Sequence, residues 1–168
     1  MRRLAIAIFV AVVVLGCGYA AYAIHEVGGP APVVPGADSE KLYVYITKPE
    51  PYYSKWQRCP GTGKFLASEE PHGSFMTIYL NDAALNSIKN PEGMADGAII
   101  VSENYTADKK LDSRTVMYKI KGYNPEAGDW FWVRYSGDSG YAQESGKVKG
   151  CVACHGSQQD KDYVHCTR

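Results

Sequence analysis

The sequence predicts an α+β fold that is mainly β, with an antiparallel sheet and a few short helices. Its 168 residues are enough for one domain with one hydrophobic core. Thirteen tyrosines and three tryptophans favour β structure. Short segments rich in β-branched and aromatic residues follow one another, separated by glycine and proline. No internal repeat is visible, so one sheet with hairpin connections is the simplest arrangement.

Four segments predict the strands of this sheet. In the first, Met76, Ile78 and Leu80 alternate with their neighbours and therefore share one face. The turn residues between the later strands occur at hairpin spacing. The predicted strands are residues 75–80, 97–105, 115–120 and 130–135, and the turn signals are Gly122, Asn124-Pro125, Gly137 and Gly140.

Two helices are predicted outside the sheet. Asp38 or Ser39 would begin the first, and Pro49 would end it, although the same residues are equally suited to a strand. Asn81 or Asp82 would cap a second, short helix over residues 83–89. Residues 49–74 contain many prolines and glycines and predict a long ordered or functional loop.

The N-terminal residues predict export. Two arginines precede an uncharged apolar stretch in residues 1–23, which is typical of a signal peptide. Cys17 ends a sequence that resembles a lipobox, so lipidation is one alternative. An uncleaved membrane anchor is another, because about 20 apolar residues can just span a bilayer. Residues 24–37 predict a Pro/Gly-rich tether, and residues 38–168 the folded domain. We therefore expect a periplasmic or otherwise extracytoplasmic location.

The balance of charge excludes one class of partner. The chain has 18 lysines and arginines against 18 acidic residues, so no basic surface for nucleic acid is expected.

One motif near the C-terminus carries chemistry. Cys151-Val-Ala-Cys154-His155 has the C-x-x-C-H spacing of covalent haem c attachment. Two thiols three positions apart on a helical turn can add to the two vinyl groups of the porphyrin, and the following imidazole can bind the iron. A thioredoxin-type redox pair would leave His155 unexplained. A zinc site would need a second pair of ligands, and the other cysteines and histidines lack zinc-type spacing. The sequence therefore predicts one covalent haem c with His155 as its axial ligand.

The chain from Gly73 to His155 resembles the cytochrome P-460 and cytochrome c′-beta family. The matching blocks are residues 75–80, 96–101, 103–105, 115–119, 122–130 and 151–155. The resemblance implies a five-stranded antiparallel sheet, a frequent homodimer and a high-spin haem that has one protein ligand and an open distal side. Members of the family bind NO, and the P-460 members oxidise hydroxylamine.

One residue departs from the P-460 pattern. P-460 enzymes have a lysine bonded to a haem meso carbon, and Ser102 stands at that position, between Val101 and Glu103. Lys109 and Lys110 lie beyond the strand. A hydroxyl group cannot replace the amine without different chemistry, which favours the gas-binding c′-beta side of the family. That resemblance implies a five-coordinate haem that binds small ligands such as NO. A P-460-type oxidoreductase acting on hydroxylamine or NO, or a simple electron carrier with an unidentified redox partner, are the alternatives.

Several residues are candidates for the distal side of this haem. His72 precedes the first predicted strand and could reach the iron, or could be a loop histidine bound to a backbone carbonyl. Glu103 is a weak candidate for a proton donor or acceptor, the alternative being a solvated charge. The further distal candidates are Phe75, Ser102 and Phe131.

Elimination predicts a disulfide between Cys59 and Cys166. Once Cys17 is removed or acylated and the haem takes two thiols, these are the cysteines that remain. Free thiols are unusual in an oxidising compartment. Two separated thiols are the alternative, because a sequence alone does not show that the two residues are close.

Overall fold

The computed structural model describes residues 34–166, and it is built on one antiparallel sheet. Two short strands pair with opposite ends of one edge of the third strand, and strands three to seven follow in chain order. The predicted class is confirmed, with seven strands rather than five. The strands are β1 (Gln57–Arg58), β2 (Leu66–Ala67), β3 (Phe75–Leu80), β4 (Ile99–Tyr105), β5 (Leu111–Lys119), β6 (Trp130–Ser136) and β7 (Ala142–Gly146).

Short helices cover the sheet. The α-helices are α1 (Ser39–Thr47), α2 (Tyr52–Lys55), α3 (Asp82–Ser87) and α4 (Lys149–His155). Two 3₁₀ helices, Pro125–Ala127 and Gly156–Lys161, complete the secondary structure of the described residues. None of the helices in this part of the chain is long and apolar enough to cross a membrane.

Helix α1 resolves the choice between helix and strand. The Asp38 carboxylate accepts hydrogen bonds from the backbone N–H groups of Glu40 and Lys41, at 3.1 and 3.0 Å. These bonds satisfy donors that the first helical turn leaves unpaired. Leu42 and Ile46, four residues apart, are fully buried against the sheet. Capping and a helical apolar stripe therefore decide the conformation.

The two faces of the sheet bury two separate hydrophobic clusters. On one side, which we call the N-terminal face, α1 and α2 pack on alternate residues of the strands. On the other side, the C-terminal face, α3, α4 and the segment after α4 cover the intervening residues. Because successive side chains of a strand point to opposite faces, every second residue of a strand joins the same cluster. Tyr79, Val101, Val116 and Val133 lie on the N-terminal face, and Ile78, Ile100, Met117 and Trp132 on the C-terminal face.

The segment after α4 is fastened to the rest of the domain. Cys59 and Cys166, the pair expected from the sequence, form a disulfide bond, with their Cα atoms 6.0 Å apart. Asp162 accepts two hydrogen bonds from Lys119 Nζ, at 2.7 and 2.6 Å, and one from the backbone N–H of Met94. The indole N–H of Trp130 donates to the carbonyl of Asp162 at 2.9 Å. These bonds fix the backbone that follows the C-x-x-C-H motif.

The long Pro/Gly-rich segment is ordered and contains secondary structure that was not predicted from its sequence. Helix α2 and strands β1 and β2 all lie within residues 49–74. The predicted signal segment, the lipidation candidate Cys17 and most of the tether lie outside the described residues.

Candidate haem site

Helix α4 presents the two thiols of the motif. Cys151 is half-buried and packs against the cluster of the C-terminal face, whereas Cys154 is exposed. Neither is in a disulfide. Burial raises the pKa of the Cys151 thiol, which keeps it protonated at neutral pH. Two free thiols on one helical turn are what thioether attachment of a haem requires.

His155 ends α4 and has a fixed orientation. Its Nδ1–H donates to the carbonyl oxygen of Tyr163 at 2.7 Å, so the neutral ring carries its lone pair on Nε2. Burial lowers the pKa of His155 to about 4, and the ring is therefore neutral at pH 7. Imidazoles that bind metals usually donate their other N–H to a carbonyl or carboxylate in this way. The hydrogen bond of Nδ1 therefore leaves the Nε2 lone pair of a neutral, oriented ring available to bind iron.

Trp132 provides a second observation that fits a bound cofactor. Its ring lies 4.8 Å from that of His155, between ring centres, and it is 3% exposed. Its Nε1–H is the one buried side-chain polar atom among residues 34–166 without a hydrogen-bond partner. A buried unpaired donor costs about 1–3 kcal/mol, so an acceptor supplied by the cofactor would relieve that cost. The residues present therefore fit haem c.

The structure brings His72 to the same site. The ring centres of His72 and His155 are 6.2 Å apart. His72 Nδ1 contacts the side-chain oxygens of Asn104, at 3.2 Å, and Thr115, at 3.3 Å. Burial lowers the pKa of His72, so this ring is also neutral. His165 lies 4.8 Å from His155 but is exposed.

Ser102 also belongs to the C-terminal face. It pairs with Thr115 across β4 and β5, and its hydroxyl donates to Asn104 Oδ1 at 3.1 Å. Asn104 Nδ2 in turn donates to Ser113 at 3.2 Å. Ser102 thus lies in a polar group that contacts His72 rather than among apolar side chains.

Three other candidates lie on the opposite face of the sheet. Phe131 belongs to the buried cluster of the N-terminal face. Phe75 lies an even number of positions from Tyr79 in β3, and therefore points to that face too. Glu103 lies two positions from Val101 in β4 and does the same. The sheet lies between these three side chains and His155, and the structure does not bring them to the haem site.

Glu103 is held in a buried polar network rather than in solvent. Tyr52 and Tyr105 each donate a hydrogen bond of 2.6 Å to its carboxylate oxygens. Arg114 Nε donates to the Tyr52 oxygen at 2.8 Å and lies 4.0 Å from the carboxylate. Burial first, and then the charge of Glu103, raises the pKa of Tyr52, which keeps its hydroxyl protonated as a donor. These hydrogen bonds indicate that Glu103 has a structural role.

Four groups at the site were not predicted from the sequence: the side chains of Asn104 and Thr115, the indole N–H of Trp132 as a donor, and the carbonyl of Tyr163. Ser102 and Asn104 did carry a signal, because two polar residues two positions apart in an otherwise apolar strand share one face. The position of Tyr163 carried none, since it follows from the path of the chain after α4.

The fold and the site together define a haem c-type cytochrome built on an antiparallel sheet. A family model described as cytochrome P460 matches residues 52–166, which is more than half of the chain. The chain belongs to the cytochrome P460 family. A search of curated proteins found no match.

Proposed function

We propose that this protein is a mono-haem c-type cytochrome that works outside the cytoplasm and binds a small diatomic or nitrogenous ligand such as NO. Cys151 and Cys154 hold one haem through thioether bonds, and His155 is its proximal ligand. The observation that carries the proposal is the hydrogen bond from His155 Nδ1 to the Tyr163 carbonyl, which leaves Nε2 as a lone-pair donor. Bound haem supplies an iron that takes small ligands and exchanges electrons.

Ser102 supports ligand binding over hydroxylamine oxidation. Ser102 occupies the position of the cross-linking lysine; the residue is 8% exposed, and its hydroxyl is hydrogen-bonded to Asn104. Lys109 lies over the rings of Phe65 and Phe75, at 5.1 and 5.6 Å from their centres. Phe75 points to the N-terminal face, so Lys109 does not replace the missing amine. The proposal therefore includes no bond between the porphyrin and a lysine.

Mass spectrometry of the exported holoprotein tests the attachment. We expect one haem that remains on the chain after denaturation and reduction of the disulfide, with a mass equal to the sum of the reduced chain and haem, as thioether addition to two vinyl groups requires. Cys151→Ala and Cys154→Ala should each leave one thioether bond, and the double variant none. Purified protein without haem, or with zinc, would contradict the proposal.

The Ser102→Lys variant tests the role of that position. After treatment of the holoprotein with hydrogen peroxide, we expect a bond between the lysine nitrogen and a porphyrin carbon. Two hydrogens are lost from protein and porphyrin, and the peroxide is reduced to water. The mass should fall by two hydrogens relative to untreated variant, while Ser102→Ala treated in the same way keeps its mass. An unchanged mass for the lysine variant would show that position 102 does not face the porphyrin edge.

A further inference from the structure

The distance between the ring centres of His72 and His155 matches that of two imidazoles bound to one metal ion. Metal–imidazole bonds are about 2.0–2.1 Å, and the nitrogen lies about 1.1 Å from its ring centre, so two imidazoles on opposite sides of one metal ion have centres roughly 6.2–6.4 Å apart. In this protein the separation is 6.2 Å, with an angle of 69° between the ring planes. The two rings are therefore spaced as the two axial ligands of one iron.

The hydrogen bonds of His72 leave the required nitrogen free. The amide nitrogen of Asn104 donates to Ser113 and Thr115, so the atom that faces His72 is Oδ1, which can only accept. The His72 Nδ1 atom at 3.2 Å is therefore the donor, and Nε2 carries the lone pair. His72 thus has the same tautomer as His155, whose Nδ1–H donates to Tyr163.

The loop that carries His72 is fastened to the sheet. Ser68 Oγ donates to the carbonyl of Gly73 at 2.9 Å, and Arg134 donates to that of Pro71 at 3.2 Å. Gly73 has a positive φ of 69°, and a Cβ atom there would lie 2.6 Å from the carbonyl oxygen of Tyr105. Only glycine fits this close approach, so the backbone next to His72 has little freedom.

We propose that His72 is the second axial ligand of the haem iron, through Nε2, and that external ligands bind only by displacing it. The proposal rests on the proposed function, since it requires the haem held by Cys151, Cys154 and His155. It replaces the five-coordinate iron expected from the family resemblance by a six-coordinate, low-spin iron with two imidazoles. Asn104 and Thr115 are positioning residues that fix the His72 tautomer.

The other nearby histidine does not fit this role. The ring centres of His165 and His155 are 4.8 Å apart, which is too close for two imidazoles on opposite sides of one iron. His165 is also exposed, so its replacement should leave the site intact. It is the matched control for His72.

Spectroscopy of the purified holoprotein provides the first test. We expect the absorption and near-infrared magnetic circular dichroism spectra of wild-type protein to show low-spin iron with two histidine ligands. His72→Ala should give a high-spin spectrum, and added imidazole should restore the low-spin form. His165→Ala should keep the wild-type spectrum. A high-spin wild-type spectrum, or a low-spin spectrum that persists in His72→Ala, would overturn the proposal.

Ligand binding provides the second test. If His72 must leave first, the rate of carbon monoxide binding to the reduced protein should reach a limit as its concentration rises. In His72→Ala the rate should remain proportional to concentration and be at least about tenfold faster, which corresponds to a competent wild-type fraction of about one tenth or less. Equal rates in the two proteins would overturn the proposal.

A third variant separates positioning from ligation. Asn104→Leu removes one of the two oxygens that contact Nδ1 and leaves Thr115 at 3.3 Å, with the His72 imidazole in place, so we expect a mixture of low-spin and high-spin iron. The absence of haem from the wild-type protein would refute the proposed function itself. A haem that is present but high-spin would refute only the role of His72.

Discussion

The Arg114→Met variant is expected to lose about 3–5 kcal/mol of its free energy of unfolding, because one partner of a buried charge pair is removed. The side chains of Arg114 and Glu103 are 6% and 10% exposed, so Glu103 would remain as a buried carboxylate without its cation. For a domain of this size the loss corresponds to a fall in Tm of roughly 6–20 °C. Urea unfolding followed by tryptophan fluorescence measures it.

Asp138→Asn is the control for this variant. Asp138 pairs with Arg114 at the outer end of the network, where its side chain is 83% exposed, so its loss should cost no more than about 1 kcal/mol. The network lies on the N-terminal face, and both variants should keep the wild-type haem spectrum. A changed spectrum in Arg114→Met without a loss of stability would assign the network to the haem site instead.

Removing the disulfide is expected to have the other large effect. The bond joins residues 107 positions apart, and the chain-entropy account gives a stabilisation of up to about 4–5 kcal/mol for a loop of that length. Replacing both Cys59 and Cys166 with serine should lower the urea midpoint accordingly. Reduction of the wild-type protein should lower it to the same value.

Thiol titration provides the direct measurement. In a Cys17→Ser background, denatured but unreduced holoprotein should contain no free thiol, because the haem takes two cysteines and the disulfide takes two. Cys59→Ser in the same background should show one, from Cys166. Two free thiols in the protein that retains both residues would show that they are not paired.

The elements with strong local signals were predicted correctly from the sequence. The four long strands β3 to β6 are rich in apolar and β-branched residues, and all four are present. Strand β7 was missed because its residues Ala-Gln-Glu-Ser-Gly have low β propensity, and they pair at the sheet edge with β6 alone. Strands β1 and β2 have two residues each, too few for any periodic pattern.

The candidate site could be predicted only where the chemistry is local. Cys151, Cys154 and His155 form a contiguous motif, so the sequence identifies them directly. Phe131 and Glu103 were assigned to the distal side, but alternation along a strand does not say which face receives the haem. The contact of His72 with Asn104 joins residues 32 positions apart and depends on the path of a loop. Such a contact becomes visible only in three dimensions.

The order of the strands has a consequence for the folding kinetics of this protein. From β3 to β7 each strand pairs with the next one along the chain, so the central sheet has a low contact order and its hairpins can form early. The disulfide between Cys59 and Cys166 closes a far longer loop than the hairpins do, so bringing these two residues together costs more chain entropy. We therefore expect the sheet to form first and to serve as the surface on which the segment after α4, with Tyr163, is then fixed.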